Sequence, residues 1–136
     1  SRSRFPVRAR DRALGAGLIV GALLCLPVLL TRGGELAPGT GSVRWAAVVG
    51  VVALAEEVFL RGALYDAVDK GWGPDAAIVV AAVAFAALHV PLYGWHVVPL
   101  DLVVGLVLGE LRRGTGSVAA PAVAHITAEW VAWFLR

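Results

Sequence analysis

Apolar residues in this chain come in long runs, and the polar residues between them gather in short clusters. The first run extends from about residue 13 to residue 30 and ends at TRGGELAPGTGS, a Gly- and Pro-rich turn sequence. A second begins near residue 43 and continues to about residue 68, where DKGWGPD breaks it. The third covers about residues 76–90 and is stopped by Pro91. The fourth covers about residues 97–111 and closes on Arg112, Arg113 and Gly114. The fifth opens at Ser117, a good N-cap, carries Pro121 in its first turns and reaches the C-terminus. The pattern predicts five helices.

A helix needs about 20 residues to cross the hydrocarbon core, and two of these segments are shorter. Topology argues for a membrane all the same. With a cytoplasmic N-terminus, the Arg112–Arg113 turn also falls on the cytoplasmic side, as the positive-inside tendency prefers. The same threading puts Trp45, Tyr93, Trp95 and Trp133 at the outer interface, where aromatic belts sit. The expected fold is therefore an all-α, polytopic transmembrane helix bundle with about five membrane helices. Residues 1–12 form a basic cytoplasmic segment and residues 13–136 the membrane-embedded domain, integral to the lipid bilayer of the plasma membrane. Two runs, GLIVG (Gly17, Gly21) and GLVLG (Gly105, Gly109), have small-residue spacing suited to close helix contact.

Composition strengthens this picture. The chain is 59% hydrophobic and 16% charged, where a soluble domain carries roughly 25% charged residues. Its mean hydropathy is +0.78. A net charge of +2 is too small for a nucleic-acid binder, and the single cysteine, Cys25, excludes an internal disulfide and any multi-cysteine metal site. Five arginines precede the first run (Arg2, Arg4, Arg8, Arg10 and Arg12), which reads as a membrane anchor held by positive charge. Beginning at Ser1 and lacking methionine, the sequence reads as an excerpt of a longer protein.

Against such a background, ionisable residues inside the runs stand out: Glu56, Glu57, Arg61, His89, Asp101, His125 and Glu129. Within a bilayer these are costly and face a bundle interior or a wet cavity. Glu57 and Arg61 stand four apart in ALAEEVFLRG, in the acid-then-base order that pairs on one helix face, and are expected to form a structural ion pair. Glu56 points about 100° away and has no local partner. By helical rise, Glu56 lies roughly 17–20 Å below the outer end of its helix, His89 about 20 Å and His125 about 12 Å along theirs from the cytoplasmic side. In a core about 30 Å thick, all three come near mid-depth and are expected to line one cavity between the second, third and fifth helices. Glu129, one turn beyond His125, shares its face.

The residue types limit the chemistry. No serine lies deep in a run, Cys25 has no histidine nearby in sequence, and His-Glu-x-x-His is absent. A glutamate acting as general base on water remains, with imidazole groups aiding it and stabilising an oxyanion. Glu56, His89, His125 and Glu129 are also ligand types that suit zinc, so a zinc-dependent metalloprotease is an alternative. A non-catalytic membrane protein, such as a bacteriocin-immunity factor, is a second alternative. A small proton-relaying transporter is a third, disfavoured by the lack of an obvious repeat.

These residues resemble the motifs of the CPBP (Abi) intramembrane proteases, which include the CAAX prenyl proteases. EEVFLR resembles their Glu-Glu-x-x-x-Arg motif, FAALH (residues 85–89) their Phe-x-x-x-His motif, and GLVLGELRRGTGSVAAPAVAH the stretch leading to a third, a histidine followed four residues later by asparagine. The resemblance runs from Glu56 to Glu129. It implies a glutamate-type intramembrane endopeptidase acting on peptide or membrane-protein substrates. In it Glu56 activates water with His89, Glu57 pairs with Arg61, and His125 helps to stabilise the oxyanion. Glu129 stands where the family has asparagine, and a carboxyl group donates a hydrogen bond only when protonated.

Overall fold

The computed structural model describes residues 5–32 and 43–134. Every regular element among them is helical: α1 (Phe5–Arg32), α2 (Val43–Glu57), a π-helical segment (Val58–Leu64), α3 (Tyr65–Tyr93), a 3₁₀ turn (Trp95–Val97), α4 (Val98–Thr115) and α5 (Ala119–Phe134). The expected all-α class holds, and the helices fall close to the apolar runs. The Gly- and Pro-rich turn after α1, from residue 33 on, and the arginines at positions 2 and 4 lie outside the described residues. Residues 5–12 belong to the first turns of α1.

The breaks follow the turn chemistry, with one exception. DKGWGPD bends the chain at Gly73, whose φ of 85° and ψ of 172° interrupt α3 and suit a residue without Cβ. Pro74 then opens the second arm. Pro91 does not stop the helix, as expected from sequence; α3 continues to Tyr93 and ends at Gly94, whose N–H reaches Val90 O at 2.8 Å. A proline near a helix end displaces few backbone bonds, so the glycine decides the terminus. Ser117 Oγ accepts from Ala119 N–H at 3.1 Å, the capping role expected of it.

Helix α1 packs along α5, α3 along α4, and α2 against α5. Both glycine pairs lie in these seams. A Cβ on Gly17 would come 2.5 Å from Ala120 O, and one on Gly21 would come 2.9 Å from Thr127 Cβ. On α4, a Cβ at Gly105 would meet Ala82 Cα at 2.8 Å, and one at Gly109 would meet Ile78 Cγ2 at 2.9 Å. The hydrogen atom of glycine is what lets these backbones approach. Trp130 adds a tie between α5 and α2, its indole N–H donating to Ala46 O at 2.9 Å.

The buried interior is rich in small residues, and many large apolar side chains face outward. Buried positions hold alanines such as Ala53, Ala81, Ala82, Ala120 and Ala124 together with Glu57, Arg61 and His125, whereas Leu18, Ile19, Val51, Phe59, Val79 and Val83 are exposed. Exposed large apolar side chains on several helices mark a surface suited to a membrane or a partner. By length and composition one helical stretch among the described residues, Val43–Tyr93, suffices to cross a membrane, with mean hydropathy 2.1 in its most apolar window.

Candidate active site

The stretch that carries the two glutamates does not fold as a regular α-helix. Beyond Glu57 the turns widen, and Tyr65 N–H reaches back to Leu60 O, five residues earlier. Such π turns are uncommon and recur where a helix presents functional side chains. At its start Arg61 Nη1 donates to Glu57 Oε1 at 2.8 Å, with both side chains at 0% exposure. Arg61 Nη2 also donates to Gly105 O at 3.0 Å, and its guanidinium lies 5.0 Å from the centre of the Phe85 ring. The far end is held by α4. Arg112 Nε donates to Arg61 O at 3.0 Å, Nη2 donates to Asp66 Oδ1 at 2.9 Å, and the cation sits 5.0 Å from the Tyr65 ring centre.

Glu57 and Arg61 thus form the buried pair expected from their spacing, but Glu57 does more than neutralise the arginine. His125 Nδ1 lies 2.8 Å from the same Oε1. A carboxylate paired with arginine only accepts hydrogen bonds, so Nδ1 of His125 carries hydrogen. Its other nitrogen, Nε2, faces Glu56 Oε2 at 3.9 Å and Glu129 Oε1 at 3.8 Å. The neutral ring offers a lone pair there, and only the doubly protonated ring offers a donor.

His89 is fixed by similar means. Its Nδ1 is 2.9 Å from Phe85 O, a carbonyl that can only accept, so this nitrogen too carries hydrogen. Phe85 packs edge-on against both imidazoles, with centroids 4.5 Å from His89 and 5.3 Å from His125, and Tyr93 stacks on His89 at 5.8 Å. Phe85 thus touches both imidazole rings and lines a neighbouring cavity with them.

Glu56, His89, His125 and Glu129 line one cavity of about 130 Å³, closed on its apolar side by Val48, Val49, Val52 and Ala53 of α2. The α2, α3 and α5 helices contribute the polar groups, as the depth estimate requires. A second cavity of about 210 Å³ borders His89, His125 and Glu129 from the other side, between Leu24 and Pro27 of α1 and Leu100 and Asp101 of α4. Sequence reasoning counted Asp101 among the intramembrane ionisable groups without giving it a place in the site. The signal was present: residues 89 and 101 are equidistant from residue 95, in the turn that folds α3 back along α4. Among the described residues no group of three His, Cys, Asp or Glu side chains is arranged to hold a metal ion.

Comparison with known families decides what kind of protein carries this cavity. The family model for type II CAAX prenyl endopeptidases, Rce1-like, matches residues 38–131. The chain belongs to this Rce1-like family. The match includes the glutamate pair, the π segment, both cavity histidines and Glu129, and it leaves out α1. No curated protein and no solved structure matches the chain. Within the Rce1-like chain, the resemblance expected from the three motifs is thereby established at the level of the family.

Proposed function

We propose that the protein is an intramembrane endopeptidase that hydrolyses a peptide bond with a water activated by Glu56. The observation that carries this reading is the shared cavity. Two carboxylates, Glu56 and Glu129, and two imidazoles with fixed Nδ1–H groups line it, in a chain of the Rce1-like family.

A water between Glu56 and His89 would give its proton to the Glu56 carboxylate as its oxygen attacks the scissile carbonyl carbon. His89 offers the lone pair of Nε2 to the second hydrogen of that water and orients it. Negative charge then gathers on the carbonyl oxygen. His125 can donate to it from Nε2 in the doubly protonated form, which the Glu57 carboxylate on Nδ1 supports. When the C–N bond breaks, the proton held by Glu56 passes to the leaving amine, and the carboxylate is restored. Glu129 reaches the same nitrogen of His125 and substitutes for the family's asparagine either as a protonated donor or as a charge beside the imidazolium.

The bilayer setting belongs to the same proposal: residues 13–136 form a membrane-embedded bundle of about five helices, with the N-terminus cytoplasmic. Support comes from the apolar outer faces and from the two ends of the bundle. Trp45 and Trp133 meet at one end, centroids 5.8 Å apart. At the other, Arg112 and Arg113 pair with Asp66 and Asp75. That is the aromatic and basic polarity expected of a membrane protein with Arg112 and Arg113 inside.

The test is cleavage of a fluorogenic membrane-peptide substrate by detergent-solubilised protein. Parent activity that survives a metal chelator and disappears in Glu56→Ala supports the glutamate mechanism. Activity lost on chelation and restored by zinc overturns it in favour of the metalloprotease.

A further inference from the structure

The structure assigns Asp101 as a positioning residue for His89, a role that rests on the endopeptidase reading for its consequence but not for its geometry. Asp101 Oδ2 lies 3.7 Å from His89 Nδ1, across the hairpin formed by α3 and α4. This oxygen is buried and has no hydrogen-bond partner. A bare carboxylate oxygen aimed at a ring nitrogen is uncommon, because burial without a partner is costly. Its location in the first turn of α4 offers another explanation, in which the carboxylate merely faces the positive end of the helix. That explanation does not require the oxygen to face an imidazole.

His89 Nδ1 already donates to Phe85 O at 2.9 Å. The carboxylate beside this bond reinforces it: a negative oxygen near Nδ1 favours the tautomer with hydrogen on Nδ1 and opposes the one with a lone pair there. Nε2, which makes no hydrogen bond among the described residues, then always presents its lone pair. If His89 accepts a proton at Nε2 during turnover, Nδ1–H becomes more acidic and Asp101 balances the charge, while the proton stays on the ring. Other charged or titratable groups bordering the two cavities that His89 lines are Glu56, Tyr93, His125 and Glu129. Neither of the two carboxylates among these groups forms an ion pair with Nδ1 within 4 Å; Asp101 does.

Asp101→Asn keeps the size of the side chain, removes the charge and lets an amide N–H approach Nδ1. Two readouts separate positioning from a structural role. The first is the ¹⁵N spectrum of histidine-labelled protein in micelles, with His96→Gln and His125→Gln used for assignment, since the chain has three histidines. The parent is expected to show His89 with hydrogen on Nδ1, and Asp101→Asn to show a new population with hydrogen on Nε2. The second is cleavage: kcat is expected to fall about 10- to 100-fold with KM within about twofold, as for loss of aid to an acid–base group. Thermal stability of both proteins is measured alongside. An unchanged His89 tautomer in Asp101→Asn overturns the assignment, whether or not stability or kcat falls. If the parent cleaves nothing, the spectrum still decides the role of Asp101, and it is the endopeptidase reading that fails.

Discussion

Replacing Glu57 with glutamine removes one charge from the most buried part of the molecule and leaves the shape nearly unchanged. The parent pair has Arg61 Nη1 at 2.8 Å from Glu57 Oε1, and neither side chain is exposed. At an effective dielectric constant of about 20, unit charges at that distance attract by about 6 kcal/mol. Desolvation consumes part of this, and loss of one partner of a buried pair costs about 3–5 kcal/mol because the survivor remains uncompensated. Arg61 would keep Gly105 O and the Phe85 ring, neither of which carries a neutralising charge. Glu57→Gln is therefore expected to lose about 3 kcal/mol or more in reversible unfolding by denaturing detergent. A second variant, Glu57→Gln with Arg61→Met, removes the orphaned cation and should recover most of that loss. It should not recover cleavage, because His125 Nδ1 would still lack its carboxylate. A Glu57→Gln protein as stable as the parent would refute the reasoning, and so would a double variant less stable than the single one.

Glu129→Asn restores the residue of the family motif and should keep or raise cleavage, whereas Glu129→Ala should lower it by about 10²–10³, read as kcat/KM across pH. A metalloprotease would instead lose both metal and activity in Glu129→Asn. Gly105→Val forces side-chain atoms into Ala82, whose Cα is 2.8 Å from where a Cβ would stand, and should cost about 1–3 kcal/mol in the same unfolding titration. Gly73→Ala places a methyl group at φ 85° and should destabilise by about 1–3 kcal/mol without altering KM, since no atom of the described residues outside the turn lies within 4 Å of it.

Much of the scaffold is legible in the sequence because apolar runs and turn residues carry it. The helix ends near Gly73 and Ser117 follow from local chemistry, and the Gly17/Gly21 and Gly105/Gly109 pairs mark the helix seams. The termination at Pro91 was misread because a glycine three residues on provides the better stop. The π segment left no periodic signal, since it spans seven residues and is apolar apart from Arg61. The convergence of Glu56, His89 and His125 could be reached from depth along three helices, a one-dimensional quantity. Rotation about each helix axis could not, and it is rotation that puts His125 Nδ1 on Glu57 and turns its other nitrogen toward Glu56 and Glu129. For the same reason the ion pair and the cavity read as separate features in sequence, although one carboxylate oxygen serves both.

The most direct test of the endopeptidase reading is mass spectrometry of a prenylated peptide ending in a CAAX sequence after incubation with the purified protein in chelator. The description of the Rce1-like family makes that peptide the first probe. The reading predicts cleavage of this peptide or of another membrane peptide by the parent and none by a folded Glu56→Gln variant. Cleavage at the parent rate by Glu56→Gln, or no cleavage of this or any other membrane peptide by the parent, would contradict it.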